Sequence, residues 1–272
     1  MKNFFVKAVS PFLARQGLVV QEVVPKEKVI QLIKRLHPVQ TQYELIRLGP
    51  KGDGGYLVPD CLDNILACFS PGVSVMSGFE LDCLNLGMQV FMVDGSVDKP
   101  NWNISEDRYS FKKKFIGCTN NEEYMTMDSW FKSTNLPKNT ELLLQMDIER
   151  AEFSTIINTS DELMNRFKVM VIEFHSLRHL WNKAFFRIIE TVFNKILQTH
   201  ICVHLHPNNF KGTKGSVITQ FGLEIPSLME MTFLRKDVAE IKGYQTLFPH
   251  SLDCDNTGKA HLPLPKGWYR TF

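Results

Sequence analysis

Acidic and histidine residues stand where the apolar runs of this chain end. Asp94 follows one such run directly. Glu230 stands early in the last run, which begins at the same edge of the sheet if that strand is antiparallel. The other residues of this kind are Asp147, Glu149, Glu173, His175, His204 and His206. In a parallel sheet the carboxyl ends of the strands form one edge, where working residues gather. The sequence therefore predicts an active site of carboxylates and imidazoles at that edge.

Asp94 also completes a local pattern. The run Ile65–Phe69 closes on Ser70-Pro71-Gly72, a segment of helical spacing stops at Gly87, and the next run ends on Asp94. This order of strand, turn, helix, strand and acid is the first half of a nucleotide-binding βαβ unit. In such a unit the acid accepts hydrogen bonds from both ribose hydroxyls. The alternative is a solvated aspartate that merely ends a strand.

The turn limits the kind of nucleotide. It lacks the GxGxxG pattern that brings a backbone close to a pyrophosphate, and the chain contains no GxxxxGK[ST]. A nucleoside without a pyrophosphate needs only the tight turn and the ribose acid. S-adenosylmethionine is such a ligand.

The later residues at the predicted edge have the types that bind metals or move protons. His204 and His206 lie two apart on one strand, as do Glu173 and His175, so each pair points to one face. Asp147, Glu173 and His206 could bind Mg²⁺ or Mn²⁺ and clamp vicinal sugar hydroxyls. The alternative is that these groups hydrogen-bond one another without a metal. His175, His206 and Asp147 are the candidates for a general base.

Three further segments are candidates for the donor site. The loop Asp53–Tyr56 can fold over the methionine end of the donor, Glu80 can meet its ammonium group, and Phe115–Cys118 can end the third strand beside the adenine. The alternatives are a turn loop, a solvated first-turn acid and a strand terminus. The predicted donor-binding residues are Asp53, Gly55, Tyr56, Ser70, Gly72, Glu80, Asp94, Gly95, Ser96, Gly117 and Asp147.

The elements that must position these residues alternate along the chain. Apolar runs predict strands at residues 65–69, 89–93, 142–146, 168–174, 201–205 and 228–234. Helical spacing occurs at 78–87, 127–133, 151–166 and 179–198. Near-continuous apolar strands between helices indicate an α/β fold with a parallel sheet covered on both faces. No helix of convincing length separates the last two strands, so we expect them to pair antiparallel.

Residues 1–45 are predicted to form a helical extension, too short to bury a core, and residues 46–272 the main domain. The extension has one amphipathic piece at its start and another at Lys26–Leu36. We expect the first to dock on its own domain or on a dimer partner. Peripheral contact with a membrane surface is the alternative.

Composition excludes several classes of protein. The formal charge of +2 comes without the basic stripe of a nucleic-acid binder, and the six cysteines form no CxxC pair. No apolar stretch reaches the roughly 18–20 residues that span a bilayer, and the start of the chain does not form a secretory signal. We expect a cytoplasmic protein with no transmembrane segment and no nucleic-acid partner.

Several motifs occur together in order. They are Leu48–Pro59, Cys68–Val73, Phe79-Glu80, Val93–Val97, Leu144–Glu149, Val171–His175 and His204–Asn209. Over roughly residues 46–236, this combination resembles the FkbM-type methyltransferases, in particular a subgroup found with surface-glycan genes. The resemblance implies a Rossmann-like class I methyltransferase fold, with a mostly parallel seven-stranded sheet and an antiparallel last strand. Arg150 departs from the family pattern, which usually has glycine after Asp-Ile-Glu.

The resemblance also implies an activity. We expect an S-adenosylmethionine-dependent O-methyltransferase that methylates a sugar hydroxyl of a surface polysaccharide or its precursor, with Mg²⁺ or Mn²⁺ as a candidate cofactor. One alternative keeps the chemistry and changes the acceptor to a lipid or small metabolite. Another is a non-catalytic glycan-binding protein with the same fold. Loss of the donor-binding acids would favour the last alternative, but Asp94 and Asp147 are both present.

Overall fold

The computed structural model describes residues 2–17, 20–73, 77–100, 104–212 and 216–270, with the side chains of 2–8 and 106 outside that description. Part of the apolar face predicted for the first helix falls on those side chains. The helices are α1 (Lys2–Arg15), α2 (Lys26–Arg35), α3 (Gly78–Asn85), α4 (Met127–Lys132), α5 (Glu152–Asn158), α6 (Asp161–Met164) and α7 (Lys183–Thr199). Short 3₁₀ helices span Glu106–Arg108, Leu177–His179, Lys236–Val238 and Lys266–Trp268.

The strands of the described residues are numbered in chain order. They are β1 (Val39–Gln40), β2 (Leu45–Leu48), β3 (Tyr56–Pro59), β4 (Ile65–Pro71), β5 (Gln89–Val93), β6 (Tyr109–Lys112), β7 (Phe115–Ile116), β8 (Tyr124–Met125), β9 (Glu141–Met146), β10 (Phe167–Phe174), β11 (His200–Pro207), β12 (Val217–Gln220), β13 (Leu223–Pro226), β14 (Met229–Arg235) and β15 (Gly243–Tyr244).

One central sheet has seven strands in the order β11-β14-β10-β9-β4-β5-β6. The neighbours from β10 to β6 run parallel. β14 lies between β10 and β11 and runs antiparallel to both. The α/β class, the mostly parallel seven-stranded sheet and its antiparallel last strand are therefore confirmed, and the arrangement is Rossmann-like.

The third parallel strand lies earlier in the chain than predicted. It is β6, paired with β5, whereas β7 pairs with β8 in a separate two-stranded sheet. The prediction that residues 115–118 end the third strand is wrong. All four residues of β6 are half-buried, and its sequence Tyr-Ser-Phe-Lys alternates between aromatic and polar residues. An edge strand of this kind has no continuous apolar run to mark it.

The helix predicted at residues 151–166 is two helices, α5 and α6. The Ser160 hydroxyl accepts a hydrogen bond from the Leu163 N–H at 3.2 Å and so begins α6. Ser160 also donates its backbone N–H to Asp128 at 2.9 Å. A serine that caps a new helix in this way ends the preceding one.

The helices cover the sheet with apolar stripes. α7 begins at Asn182, whose side chain accepts from the N–H groups of Ala184 and Phe185. Its buried face consists of Phe186, Ile189, Val192, Phe193 and Ile196. α2 contributes Val29, Leu32 and Ile33 to the same core cluster. The second amphipathic piece of the extension therefore packs on the domain, and the boundary at residue 45 stays a prediction.

Among the helices of the described residues, none has the length and apolar character needed to cross a membrane.

Candidate active site

A cavity of about 300 Å³ lies at the carboxyl edge of the central sheet. Its lining includes Asp147 after β9, His175 after β10 and Asn208 after β11. Glu173, near the end of β10, also lines it although only 3% of its surface is exposed. Asp53 joins from the loop before β3. Residues that are far apart in sequence thus meet in one cavity at the predicted edge.

His175 has carboxylates beside both ring nitrogens. Nδ1 lies 3.3 Å from Glu152 Oε1, and the same oxygen accepts the His175 backbone N–H at 2.7 Å. Nε2 lies 3.4 Å from Glu149, 3.8 Å from Asp147 and 3.9 Å from Glu173. Burial alone would lower the pKa of His175, but the neighbouring carboxylates, with Glu152 first, outweigh it and raise the pKa. Glu152 therefore fixes the backbone of His175 and lies beside Nδ1, which makes no hydrogen bond among the described residues, while Nε2 faces the other acids.

Two of the acids that face His175, Asp147 and Glu173, have raised pKa values. Burial raises the pKa of Asp147 to about 7, against the opposing effect of the His175 charge. Burial and the charge of Asp147 raise the pKa of Glu173 well above its usual range. Asn208 donates its amide to Glu173 Oε1 at 3.2 Å. Within the described residues, Asp147 Oδ1 is buried and has no hydrogen-bond partner.

Three of these residues have the geometry of a metal site. One ligand atom each from Asp147, Glu149 and His175 lies within 4.8 Å of the others. Two carboxylates and an imidazole suit Mn²⁺ or Mg²⁺, and the unpaired Asp147 Oδ1 is an acceptor that such an ion would satisfy. Of the predicted ligands Asp147, Glu173 and His206, only Asp147 belongs to this group, and Glu173 lines the same cavity. Glu149 and His175 stand where Glu173 and His206 were expected.

His206 is separated from Asp147 and Glu173 by β14, which lies between β10 and β11. Glu173 and His206 both pair with Glu230 of β14, from its two sides. Neighbouring strands lie about 4.8 Å apart, so the backbones of Glu173 and His206 are separated by roughly 10 Å. The grouping of His206 with Asp147 and Glu173 therefore does not occur in the described structure.

His206 belongs instead to a second cluster, closed by the C-terminal segment. Asp253 Oδ1 lies 2.8 Å from His204 Nε2 and 3.6 Å from His206 Nδ1. Asn256 donates its amide to Glu230 at 2.6 Å. The side chains of both histidines and of Asp253 are only 4–6% exposed. Asp253 and Glu230 thus have partners within this cluster, which is nearly sealed from solvent, although His206 Nε2 and Asn256 Oδ1 have no hydrogen-bond partner among the described residues.

The charges of the second cluster stabilise one another. Burial raises the pKa of Asp253, but hydrogen bonds from His204 and His206 outweigh it and lower the pKa. Burial lowers the pKa of His206, but Asp253 and Glu230 outweigh it and raise the pKa. Burial also raises the pKa of Glu230 to about 7. His206 and Asp253 therefore form a buried ion pair.

The backbone around the cavity adopts unusual conformations. Glu149, Arg150 and Ser176 have φ angles of 51°, 86° and 62°, in the left-handed region. All three line the cavity. This region costs a residue with a side chain about 1–2 kcal/mol, whereas glycine adopts it freely. Arg150 thus stands at a position that glycine would occupy without strain, and strained residues of this kind cluster at functional sites.

The predicted donor half begins at the end of β4. Gly72 has a φ of 83°, and a Cβ at this position would overlap the carbonyl oxygen of Asp147. The Asp147 N–H donates to the Pro71 carbonyl at 3.2 Å. Asp147 therefore joins the two halves of the edge, because its backbone packs on the Gly72 turn while its side chain faces His175.

Asp94 follows β5 at the same edge and is buried. One oxygen of its carboxylate accepts hydrogen bonds from the Ser96 N–H at 2.7 Å and the Ser96 hydroxyl at 2.6 Å. The carboxylate is therefore oriented by its own turn. The sequence placed both residues in the donor site, and the structure brings them into contact.

Gly95 and Gly117 support an exposed aromatic pair beside Asp94. A Cβ at Gly95 would overlap the ring of Phe115, and one at Gly117 would lie 3.2 Å from Tyr124. The two rings pack with centroids 5.6 Å apart and are 42% and 39% exposed. Aromatic faces next to a ribose-binding acid can stack on a base. Gly117 thus lies near the predicted donor site although it does not follow the third strand directly.

Ser70 and Glu80 lie in a buried chain of hydrogen bonds below the turn. Ser70 Oγ is 2.5 Å from Glu80 Oε1 and 2.6 Å from Gln145 Oε1. Burial raises the pKa of Glu80 to about 7, so a protonated Glu80 can donate to Ser70 while Ser70 donates to Gln145. Gln145 in turn donates to the Tyr56 hydroxyl at 3.4 Å. Glu80 is therefore buried and supports the turn from inside, and its contact with a donor ammonium group stays a prediction.

The loop before β3 folds back over this edge. Arg47 donates to the carbonyls of Pro50 at 2.8 Å and Gly52 at 3.0 Å, and a Cβ at Gly55 would overlap the Pro50 carbonyl. Asn256 donates to Asp53 at 3.4 Å. The loop therefore contacts both the cavity and the second cluster.

Sequence reasoning missed Glu152, Asp253 and Asn256. Glu152 begins α5 and is fully buried, and its one signal in the sequence is that it continues the acidic motif from Asp147. Asp253 and Asn256 come from an irregular segment after β15, where no pattern marks them. Comparison of the chain with protein-family models and with curated proteins finds no match to either.

Proposed function

We propose that this protein is an S-adenosylmethionine-dependent O-methyltransferase with a class I methyltransferase fold, and that it methylates a hydroxyl of a sugar in a surface polysaccharide or its precursor. The sheet order, with an antiparallel strand between the last two parallel ones, fits that fold. The sugar acceptor rests on the motif resemblance. The activity is inferred from the site.

The observation that carries the proposal is the double role of Asp147. Its backbone packs on the Gly72 turn, which leads to the acid-bearing end of β5. Its carboxylate faces His175 Nε2 at 3.8 Å. Asp147 thus lies between residues that are suited to bind a nucleoside and residues that are suited to transfer a proton. Methyl transfer needs this proximity, because donor and acceptor must be aligned within one site.

On the donor side, the chain's residues bind and orient. S-adenosylmethionine, when bound, would supply a methyl group activated by its sulfonium. Asp94 would accept hydrogen bonds from the ribose hydroxyls, and the exposed ring of Phe115 would cover the base. Gly72 keeps the turn free of side-chain atoms, so a ligand can approach the backbone.

On the acceptor side, the residues remove a proton. As the new C–O bond forms and the C–S bond breaks, the acceptor hydroxyl loses its proton to a base. His175 Nε2 is the leading candidate, because Glu152 holds the other side of the ring. Asp147 is the second candidate. Either group would accept the proton beside the partner carboxylates.

The same atoms fit a divalent cation. Asp147, Glu149 and His175 would hold Mg²⁺ or Mn²⁺, which would lower the pKa of a bound hydroxyl. In that case His175 Nε2 would be a ligand of the ion and would not act as the base. The two routes make opposite predictions for metal removal.

The test is transfer of a labelled methyl group from S-adenosylmethionine to a panel of sugars, analysed by mass spectrometry. Each reaction is run with chelator-treated protein, and with Mg²⁺ or Mn²⁺ restored. A product heavier by one methyl group supports the activity. Loss on chelation with rescue by either ion assigns the cluster to the metal, and full activity without metal leaves His175 or Asp147 as the base. If no hydroxylated sugar is methylated under any condition, the sugar proposal fails.

A further inference from the structure

Three cationic side chains line the same cavity as the acids. Arg150 lies between β9 and α5, Arg178 in the 3₁₀ helix after β10, and Lys211 beyond β11. They come from three different loops at the carboxyl edge. Arg150 and Lys211 are exposed, and Arg178 is half-buried. Convergence of three cations on one small cavity is not required by the fold.

These cations make few polar contacts with other residues of the protein. Within the part of the chain that the structure describes, Arg150 and Lys211 make no hydrogen bond or ion pair. Arg178 donates only through Nε, to His179 at 3.2 Å. In contrast, Arg166 and Arg235 each donate to at least two backbone or carboxylate oxygens. The guanidinium groups of Arg150 and Arg178 are therefore available to a ligand.

The two arginines also act on a common neighbour. Burial lowers the pKa of His179, and the charges of Arg178 and Arg150 lower it further. Both positive charges are therefore felt at the same imidazole, and a bound anion would offset them there. Arg150 also occupies its left-handed position at a cost that glycine would avoid.

The buried end of the cavity carries Glu173 and His175, where the proposed chemistry occurs. The three cations lie toward solvent, together with the exposed carboxylates of Asp53 and Glu149. Within the described residues, none of the cations lies within ion-pair distance of the four carboxylates that line the same cavity, which are Asp53, Asp147, Glu149 and Glu173. The cations therefore do not serve simply to neutralise the acids.

We propose that the acceptor carries an oxyanion, a phosphate or a carboxylate, which Arg150, Arg178 and Lys211 bind on the solvent side while its hydroxyl faces His175. Arginine binds both groups through two parallel hydrogen bonds. A sugar phosphate and a hexuronic acid both combine hydroxyls with such an anion. This inference rests on the proposed function for the identity of the reaction, but its binding part stands apart from catalysis.

The experiment measures binding without turnover. A hexose 1-phosphate, a hexuronic acid and the neutral hexose are titrated calorimetrically into protein that has been freed of divalent ions, so that no metal ion binds the anion. The variants are Arg150→Gly and Arg178→Ala. Arg150→Gly removes the charge and also relieves the left-handed strain, so it is expected to fold. Arg187→Ala, an exposed arginine on α7, is the control.

At least one anionic sugar is expected to bind about tenfold or more tightly than the neutral hexose, since charged hydrogen bonds are strong, and added salt should weaken it. Each cavity variant should reduce that preference about tenfold, whereas Arg187→Ala should not. Binding of the hexose 1-phosphate or of the hexuronic acid shows whether the anion is a phosphate or a carboxylate. Equal binding of neutral and anionic sugars, or unchanged binding in both cavity variants, would overturn the inference.

The failure of this inference can be told from failure of the proposed function. If the protein methylates neutral and anionic sugars equally well, the activity stands and the oxyanion site is wrong. If the arginines bind anionic sugars but S-adenosylmethionine does not bind, the oxyanion site stands and the methyltransferase proposal is wrong.

Discussion

The two histidine clusters at the carboxyl edge consist of the same residue types but are closed differently. In the first, His175 Nε2 faces Asp147, Glu149 and Glu173 in a cavity that opens to solvent. In the second, the C-terminal segment brings Asp253 onto His204 and His206. Within the described residues each cluster has a buried polar atom without a hydrogen-bond partner, Asp147 Oδ1 in the first and His206 Nε2 in the second, but of these two residues only Asp147 lines the cavity.

The difference shows that composition at a strand end does not determine the role of a cluster. An imidazole can act on a ligand only where the ligand can reach it, and a carboxylate can bind an ion only if another cation does not already hold it. Asp253 already has a hydrogen bond with His204 and an ion-pair contact with His206, so the second cluster is expected to stabilise the fold. The first cluster is expected to perform the chemistry.

The largest expected effect is on turnover. His175→Ala should lower kcat by about 10²–10⁴-fold on a sugar acceptor with free hydroxyls, because a general base or metal ligand acts only in the chemical step. Donor affinity should barely change. His206→Ala is the matched control and should retain most of its turnover. Equal losses in the two variants would remove the distinction between the clusters, and normal turnover in both would make Asp147 the leading base.

The next effect is on stability, where a substitution in the second cluster should have a larger effect than one in the first. Asp253→Ala leaves two buried imidazoles without their carboxylate and should cost about 3 kcal/mol of unfolding free energy. Asp147→Asn removes a carboxylate whose charged form is already disfavoured by burial, so it should cost far less. Urea denaturation of both variants measures the difference. Similar stability of the two proteins would show that the second cluster is not a structural ion pair.

A smaller effect is on the pH dependence of stability. The folded-state pKa of His206 is raised, so its pairing with Asp253 stabilises the fold fully below the unfolded pKa of about 6.5. That stabilisation is lost as pH rises from there through the folded pKa. The free energy of unfolding of wild type minus that of His206→Gln should therefore fall above pH 6.5, by at most about 1.4 kcal/mol per pH unit. A difference that stays constant between pH 6 and 8.5 would contradict the ion pair.

Much of the fold was predictable because its central strands are continuous apolar runs. β4, β5, β9 and β10 are buried along most of their length, so sequence alone marks them. β6 escaped because an edge strand needs no apolar run. The antiparallel pairing of β11 and β14 was also predictable, but the insertion of β14 beside β10 was not. Strand order depends on contacts distant in sequence.

The site was predictable only in part for the same reason. Asp147, Glu173 and His175 follow strands and therefore meet at the edge. The position of His206 depends on Glu230 standing between it and Glu173, a consequence of strand order. Asp253 comes from an irregular segment whose path has no periodic signal. The role of Glu152 could not be predicted, because it depends on α5 placing its first residue inward, beside the His175 ring.

The central claim is that this edge binds S-adenosylmethionine through Asp94, and calorimetric titration of the donor tests it most directly. Wild-type protein should bind saturably, and Asp94→Ala should bind at least about tenfold more weakly, because a carboxylate bonded to ribose hydroxyls contributes about 1.5–3 kcal/mol. The control is Asp60→Ala, which changes an exposed aspartate. The charges of Asp60 and of Glu141, at the start of β9, both act on Cys61, so Asp60 lies toward the opposite edge of the sheet. It should bind like wild type. Absence of binding to the wild type, or equal affinity in Asp94→Ala, would contradict the account.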